Sequence, residues 1–267
     1  MLEFVRESIR ADQCLACSSH CCSHNLINVC GSDIWRIATS LQVEPGAFLA
    51  FADMDGESPY NFKLDSSERA YCAALYPKQG PEGEPRCIFL MELPNRQTRC
   101  GIYALRPIAC HAYPLTLVDE EVVVKPWAFC PPQGQDLRRL DAACWREELS
   151  RHDMEFSIYA YIVRTWNNEV VTRPSAVKPD FGSFLSFLIA VYSRLEVARG
   201  TMPEEAWPMI WNQWRWFTVK GLNPLSLEIS PNASIESWSW WLQNIQEIVA
   251  ESTREIGVHI SELEKVS

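Results

Sequence analysis

This chain of 267 residues holds eleven cysteines, all within its first 150 residues. They are Cys14, Cys17, Cys21, Cys22, Cys30, Cys72, Cys87, Cys100, Cys110, Cys130 and Cys144. A fold can absorb so many thiols in one region as disulfides, as buried apolar residues or as metal ligands. The count is odd, and residues 1–7 show no apolar stretch leading to a small-residue cleavage site. The reading is therefore a cytoplasmic protein with reduced thiols, in which metal binding outranks a disulfide framework.

Other residue types follow the same division. Eight of eleven tryptophans come after residue 150, and eleven of seventeen prolines come before it. This predicts an α+β, mostly helical protein: a loop-rich cysteine-cluster domain over residues 1–135 and a helical, Trp-rich domain over 136–267. In the first region Ser32 and Asp33 are candidate caps for a helix through Leu41. Pro45 opens a short helix to Ala52. Residues 53–59 and 77–85 read as loops, and 86–91 as a strand. Leu115–Val118 and Val122–Val124 form a hairpin. In the second region Leu137, Leu140, Cys144, Phe156, Tyr159, Val163 and Trp166 fall at helical spacing, in up to two helices. Phe184, Leu188, Val191 and Leu195 make a stripe after Asp180, and Ile235, Trp238, Leu242, Ile245 and Val249 make another. Pro203 opens a further helix, which Pro208 is expected to distort.

The formal net charge of −10 argues against nucleic acid as a partner. The strongly apolar run 184–192 falls short of the roughly 18 residues that cross a bilayer, so no membrane partner is read. A P-loop, a dinucleotide glycine motif, a nucleophile elbow and a His-Glu-x-x-His helix do not occur in the sequence. No general acid or base can be named. Trp207, Trp211 and Trp214 share a helical face, but few Lys or Arg interleave with them. Packing is favoured over stacking on bases. A protein partner for the helical region stays open.

The sharpest local signal is Cys14-x-x-Cys17-x-x-x-Cys21-Cys22. Soft thiolates converging from a tight turn suit zinc or iron. On a helix Cys22 would point about 100° away from Cys21, which leaves an irregular loop around one site or two neighbouring sites. The order is the reverse of the Cys-x3-Cys-x2-Cys of radical S-adenosylmethionine enzymes, and that activity is not read. Further along come Cys87-Ile88-Phe89-Leu90, Cys100-Gly101-Ile102-Tyr103, Arg106-Pro107-x-x-Cys110-x-x-Tyr113-Pro114 and Cys130-Pro131-Pro132.

In these motifs, and in the Asp33-containing segment Asp33-Ile34-Trp35-Arg36-Ile37, the sequence resembles the CxxCxxxCC cysteine-cluster family, a zinc- or iron-chelating domain also called YkgJ-like. The resemblance spans about residues 12–132. It implies metal ligation by Cys14, Cys17, Cys21, Cys22, Cys87, Cys100, Cys110 and Cys130, with an iron–sulfur cluster, iron or zinc as cofactor. Eight thiolates suffice for two four-ligand sites, or for one site plus functional thiols. The family usually carries Arg after the cysteine matching Cys110; here it is His111, a tuning group or a further ligand. Arg106 is a candidate counter-charge, because a thiolate-bound metal is negative and needs donors when partly buried. His20 and His24 beside the quartet read as solvated, and Cys30, Cys72 and Cys144 take no family role. The family includes flagellin lysine N-methylases, so the resemblance also allows a methyl-transfer or redox enzyme. Metal delivery or sensing is a third option.

Overall fold

The computed structural model describes residues 20–24, 26–80, 83–94, 98–126, 128, 142–172, 178–220, 222–226 and 236–264. The fold is α+β and mostly helical. Two short helices, α1 (His20–His24) and α2 (Gly31–Leu41), precede four two-stranded antiparallel sheets. These sheets pair β1 (Leu49–Met54) with β2 (Ala70–Leu75), β3 (Pro77–Gln79) with β4 (Pro85–Cys87), and β5 (Leu90–Glu92) with β6 (Thr98–Cys100). Helix α3 (Ile108–Ala112) then leads into the hairpin β7 (Leu115–Val118) and β8 (Glu121–Val124). Long helices follow: α4 (Ala142–Thr165), α5 (Phe181–Thr201), α6 (Trp207–Val219) and α7 (Glu236–Glu264).

Several local expectations hold. Helix α2 ends at Leu41 as read, but its N-cap is Cys30 instead of Ser32 or Asp33, and Asp33 closes the capping box from the third helical position. The β7–β8 hairpin turns through Asp119 and Glu120, both at positive φ, which is the backbone of a two-residue hairpin turn. Asp180 caps α5 by accepting from Ser183 N at 2.7 Å. Pro208 sits in the first turn of α6, where its missing N–H costs nothing, so it begins the helix instead of distorting it.

Other expectations give way to tertiary pairing. The helix expected from Pro45 to Ala52 is a single 3₁₀ turn, Pro45–Ala47, followed by β1. Leu49, Phe51 and their neighbours gain a full ladder with β2, from Leu49↔Leu75 to Met54↔Ala70, and this outweighs helix propensity. The strand expected over 86–91 breaks in two, because Cys87 closes one hairpin and Leu90 opens the next. The loop expected over 77–85 contributes β3 and the start of β4. One helix, not two, covers the stretch from Cys144 to Val163, and it runs into a π-helical turn, Trp166–Val170. Leu137, Leu140 and Ile235 lie outside the described residues.

One hydrophobic cluster includes residues of both compositional regions: Ile34, Ile37, Phe48 and Phe62 together with Tyr159, Trp166, Phe184, Tyr192 and Trp241. Phe62 stacks on Phe184 with ring centroids 3.7 Å apart, and Phe51 stacks on Phe181 at 4.5 Å. The π turn is tied to the loop after β1. Trp166 Nε1 donates to Lys63 O at 2.7 Å, and Asn167 Oδ1 accepts from Lys63 N at 2.8 Å. Helix α5 is long and apolar enough to cross a bilayer by length and composition, and here Phe184, Phe187, Leu188, Val191 and Leu195 pack into protein. Trp207, Trp211 and Trp214 are buried, as the packing reading expects. Glu155 on α4 pairs with Arg199 on α5 at 2.5 Å, and the guanidinium also faces the rings of Trp207 and Trp241.

Helix α2 lies so close to α5 that Gly31 touches the ring of Tyr192. A Cβ at Gly31 would fall 2.0 Å from Tyr192 Cε2. Gly31→Ala is therefore expected to destabilise the protein by about 1–3 kcal/mol through overpacking. Gly46→Ala, where a Cβ meets nothing within 4 Å, should be neutral. Urea unfolding of the two variants checks this contrast.

Candidate metal centre

Four elements distant in sequence supply the described motif cysteines. Helix α1 carries Cys21 and Cys22, β4 ends in Cys87, β6 ends in Cys100, and α3 carries Cys110. Helix α1 packs on β4. The hairpins fix the two strand cysteines, with Cys87 opposite Pro77 and Cys100 opposite Leu90. Gly101 N donates to Phe89 O at 2.7 Å and extends the β5–β6 pairing by one residue.

The thiols sense one another electrostatically, as groups sharing a site must. Cys21 and Cys22 have Sγ atoms 3.8 Å apart. Hydrogen bonding from Cys22 lowers Cys21 to about 7, against the opposing effect of burial, and Arg106 helps lower it. Cys22 is raised, first by that same hydrogen bond, then by burial and by the nearby Cys21, Cys110 and Cys87. Burial raises Cys87 to about 11, with Cys100 and Cys21 adding to the effect. Burial likewise pushes Cys110 well up, reinforced by Cys21, Cys87, Asp33 and Cys100. Cys21, Cys22, Cys87, Cys100 and Cys110 therefore occupy one neighbourhood. Among the described residues no three His, Cys, Asp or Glu side chains are grouped to hold a metal ion. Cys14, Cys17 and Cys130 lie outside them, and so do the side chains of His20 and His24.

The donor set suits a soft thiophilic metal. Two sulfurs on a tetrahedral zinc, at Zn–S of about 2.3 Å, stand about 3.8 Å apart, which is the Cys21–Cys22 separation. The surroundings offer positive charge and unused donors. Arg106 is 7% exposed, its guanidinium lies 4.1 Å from the Tyr103 ring centroid, and its Nη2 is 3.5 Å from His111 Nδ1. Arg106 Nε and Tyr103 OH are buried without hydrogen-bond partners. Two orphaned donors beside a cluster of thiols match what a negatively charged thiolate–metal group requires.

Spacing alone did not indicate Tyr103 as a donor, nor the hydrogen-bond roles of Asp33 and Arg36. Asp33 Oδ1 accepts from Ile108 N at 2.9 Å and from Arg36 Nη2 at 2.9 Å. Arg36 Nη2 also donates to Arg106 O at 2.9 Å. Only the capping position of Asp33 was visible in sequence. Cys30 and Cys72 are free thiols. Cys30 Sγ donates to Asp33 Oδ2 at 3.4 Å, and Cys72 Sγ lies 3.8 Å from Asn28 Oδ1. Beside Cys87 and Cys100 an open groove of about 670 Å³ is lined by Leu41, Lys78, Arg86, Phe89, Met91 and Gly101. Arg86 is ion-paired there to Glu84 and Glu92.

Residues 13–131 match the CxxCxxCC family model, described as "Putative zinc- or iron-chelating domain". That segment is under half of the chain, and its likeness is to a domain described by metal chelation. Neither the curated proteins nor the solved structures contain a match to the chain.

The titration order of the thiols is testable on metal-free protein. Cys21, lowered to about 7, is mostly thiolate at pH 8, whereas Cys87 at about 11 remains protonated. Iodoacetamide reacts with thiolate, so Cys21 should be labelled well before Cys87 at pH 8, and its rate should fall steeply by pH 6. Mass spectrometry of timed samples reads this order, and Cys87 reacting first would contradict it.

Proposed function

We propose that this protein binds zinc or iron through a centre of cysteine thiolates, its ligands drawn from Cys14, Cys17, Cys21, Cys22, Cys87, Cys100, Cys110 and Cys130. The observation that carries this reading is that Cys21, Cys22, Cys87, Cys100 and Cys110, from four elements, lie close enough to influence one another electrostatically, with unpartnered buried donors on Arg106 and Tyr103 nearby. A buried set of thiols is costly to ionise alone, and a divalent cation or an iron–sulfur core removes that cost. Bound there, the metal supplies cross-linking of these elements and, if iron, a redox couple. With metal bound, the positive charge of Arg106 would offset that of the thiolates, and Arg106 Nε and Tyr103 OH would be available as donors. His111 Nδ1 lies 3.5 Å from the Arg106 guanidinium and supports its placement. Free thiols of this kind persist in a reducing, cytoplasmic setting.

Cysteine substitution with metal analysis tests the reading. Cys100→Ala and Cys110→Ala are expected to lose bound metal and to melt at lower temperature than the wild type. Cys144→Ala, outside the motif, should keep both metal and stability. Full metal content in Cys110→Ala would remove that residue from the site, and full content in both motif variants would overturn the proposal.

A further inference from the structure

We infer that Asp33 and Arg36 form a clamp that presets the metal centre, making Asp33 a positioning residue for Cys110 and Arg106; this rests on the proposed thiolate metal site. The two side chains stand one helical turn apart on α2. They grip the backbone on both sides of Pro107: Arg36 holds Arg106 O, and Asp33 takes Ile108 N. Ile108 is the first residue of α3, so its N–H is one of the donors a helix start leaves unsatisfied. Its acceptor comes from 75 residues earlier in the chain. The other carboxylate oxygen, Oδ2, accepts from Cys30 N at 3.4 Å and from Cys30 Sγ at 3.4 Å. Asp33 is 1% exposed, and both its oxygens are engaged. A buried carboxylate tolerates this position only with such partners. Helix α2 is itself anchored, with Ile34 and Ile37 buried in the core and Trp35 Nε1 donating to Ser193 Oγ at 3.0 Å. The clamp therefore transfers the rigidity of the core to the segment carrying Arg106, Cys110 and His111. Preset ligands spend less ordering entropy on the metal.

The test compares wild type with Asp33→Ala, Asp33→Asn, Arg36→Gln and a core control, Val191→Ala. Zinc affinity is measured by competition with a chromophoric chelator, and iodoacetamide labelling of Cys110 is measured on metal-free protein. Loss of an orienting partner of a metal ligand costs about 10- to 100-fold in affinity. Asp33→Ala is expected to show that loss and faster labelling of Cys110. Asp33→Asn, which keeps one acceptor, and Arg36→Gln should fall between it and the wild type. Val191→Ala should lower stability without moving zinc affinity. If Asp33→Ala does not fold, Asp33→Asn and Arg36→Gln carry the test. Wild-type affinity and unchanged Cys110 labelling in the clamp variants would overturn the inference. If the wild type takes up neither zinc nor ferrous iron, the metal reading fails, and Cys110 labelling alone then decides whether the clamp exists.

Discussion

Sulfur brought together from distant parts of the chain is the constraint on which the rest of the structure depends. Cys21, Cys22, Cys87, Cys100 and Cys110 arrive on four separate elements, and burial with mutual repulsion raises most of them. Without a cation Cys22, Cys87 and Cys110 are held toward the protonated thiol, and Cys21 alone is shifted toward thiolate. With a cation the same residues become a cross-link among short hairpins and one-turn helices that have little packing of their own. The sheets here have only two strands each, and isolated hairpins are marginal in water. A metal would thus add most where the chain is weakest.

The helical region gives these elements something rigid to lean on. Helix α2 joins the two parts: its apolar face sits in the shared core, its glycine end touches Tyr192, and its polar face reaches the Arg106–Ile108 backbone. Aromatic stacking of Phe51 and Phe62 on Phe181 and Phe184 ties the first sheet to α5 in the same way. The buried Glu155–Arg199 pair and the indoles around it lie within the helical region. Trp166, Trp207, Trp211, Trp214, Trp238 and Trp241 are buried as packing, whereas Trp216 and Trp240 are exposed.

Sequence reading succeeded where a local signal decides the outcome. Asp180 before an apolar stripe, the hairpin at 115–124 and the helix ending at Leu41 are of this kind. It failed where a partner distant in sequence decides. Residues 49–52 form a strand because Ala70–Leu75 lies beside them, and nothing within 45–52 announces that. Cys87, Cys100 and Cys110 were legible as one set through their motifs. The clamp was not, since a carboxylate on one helix capping another across 75 residues leaves no mark in local spacing. The orphaned hydroxyl of Tyr103 is visible only once its surroundings are known.

The most direct test of the account is the metal content of the native protein. Anaerobic purification, followed by elemental analysis, acid-labile sulfide assay and an absorption spectrum on one sample, supplies it. The account predicts stoichiometric zinc in a colourless protein, or iron with or without sulfide in a coloured one, with the motif thiols protected from alkylation until the metal is removed. A folded, metal-free protein whose motif thiols all react freely would contradict it.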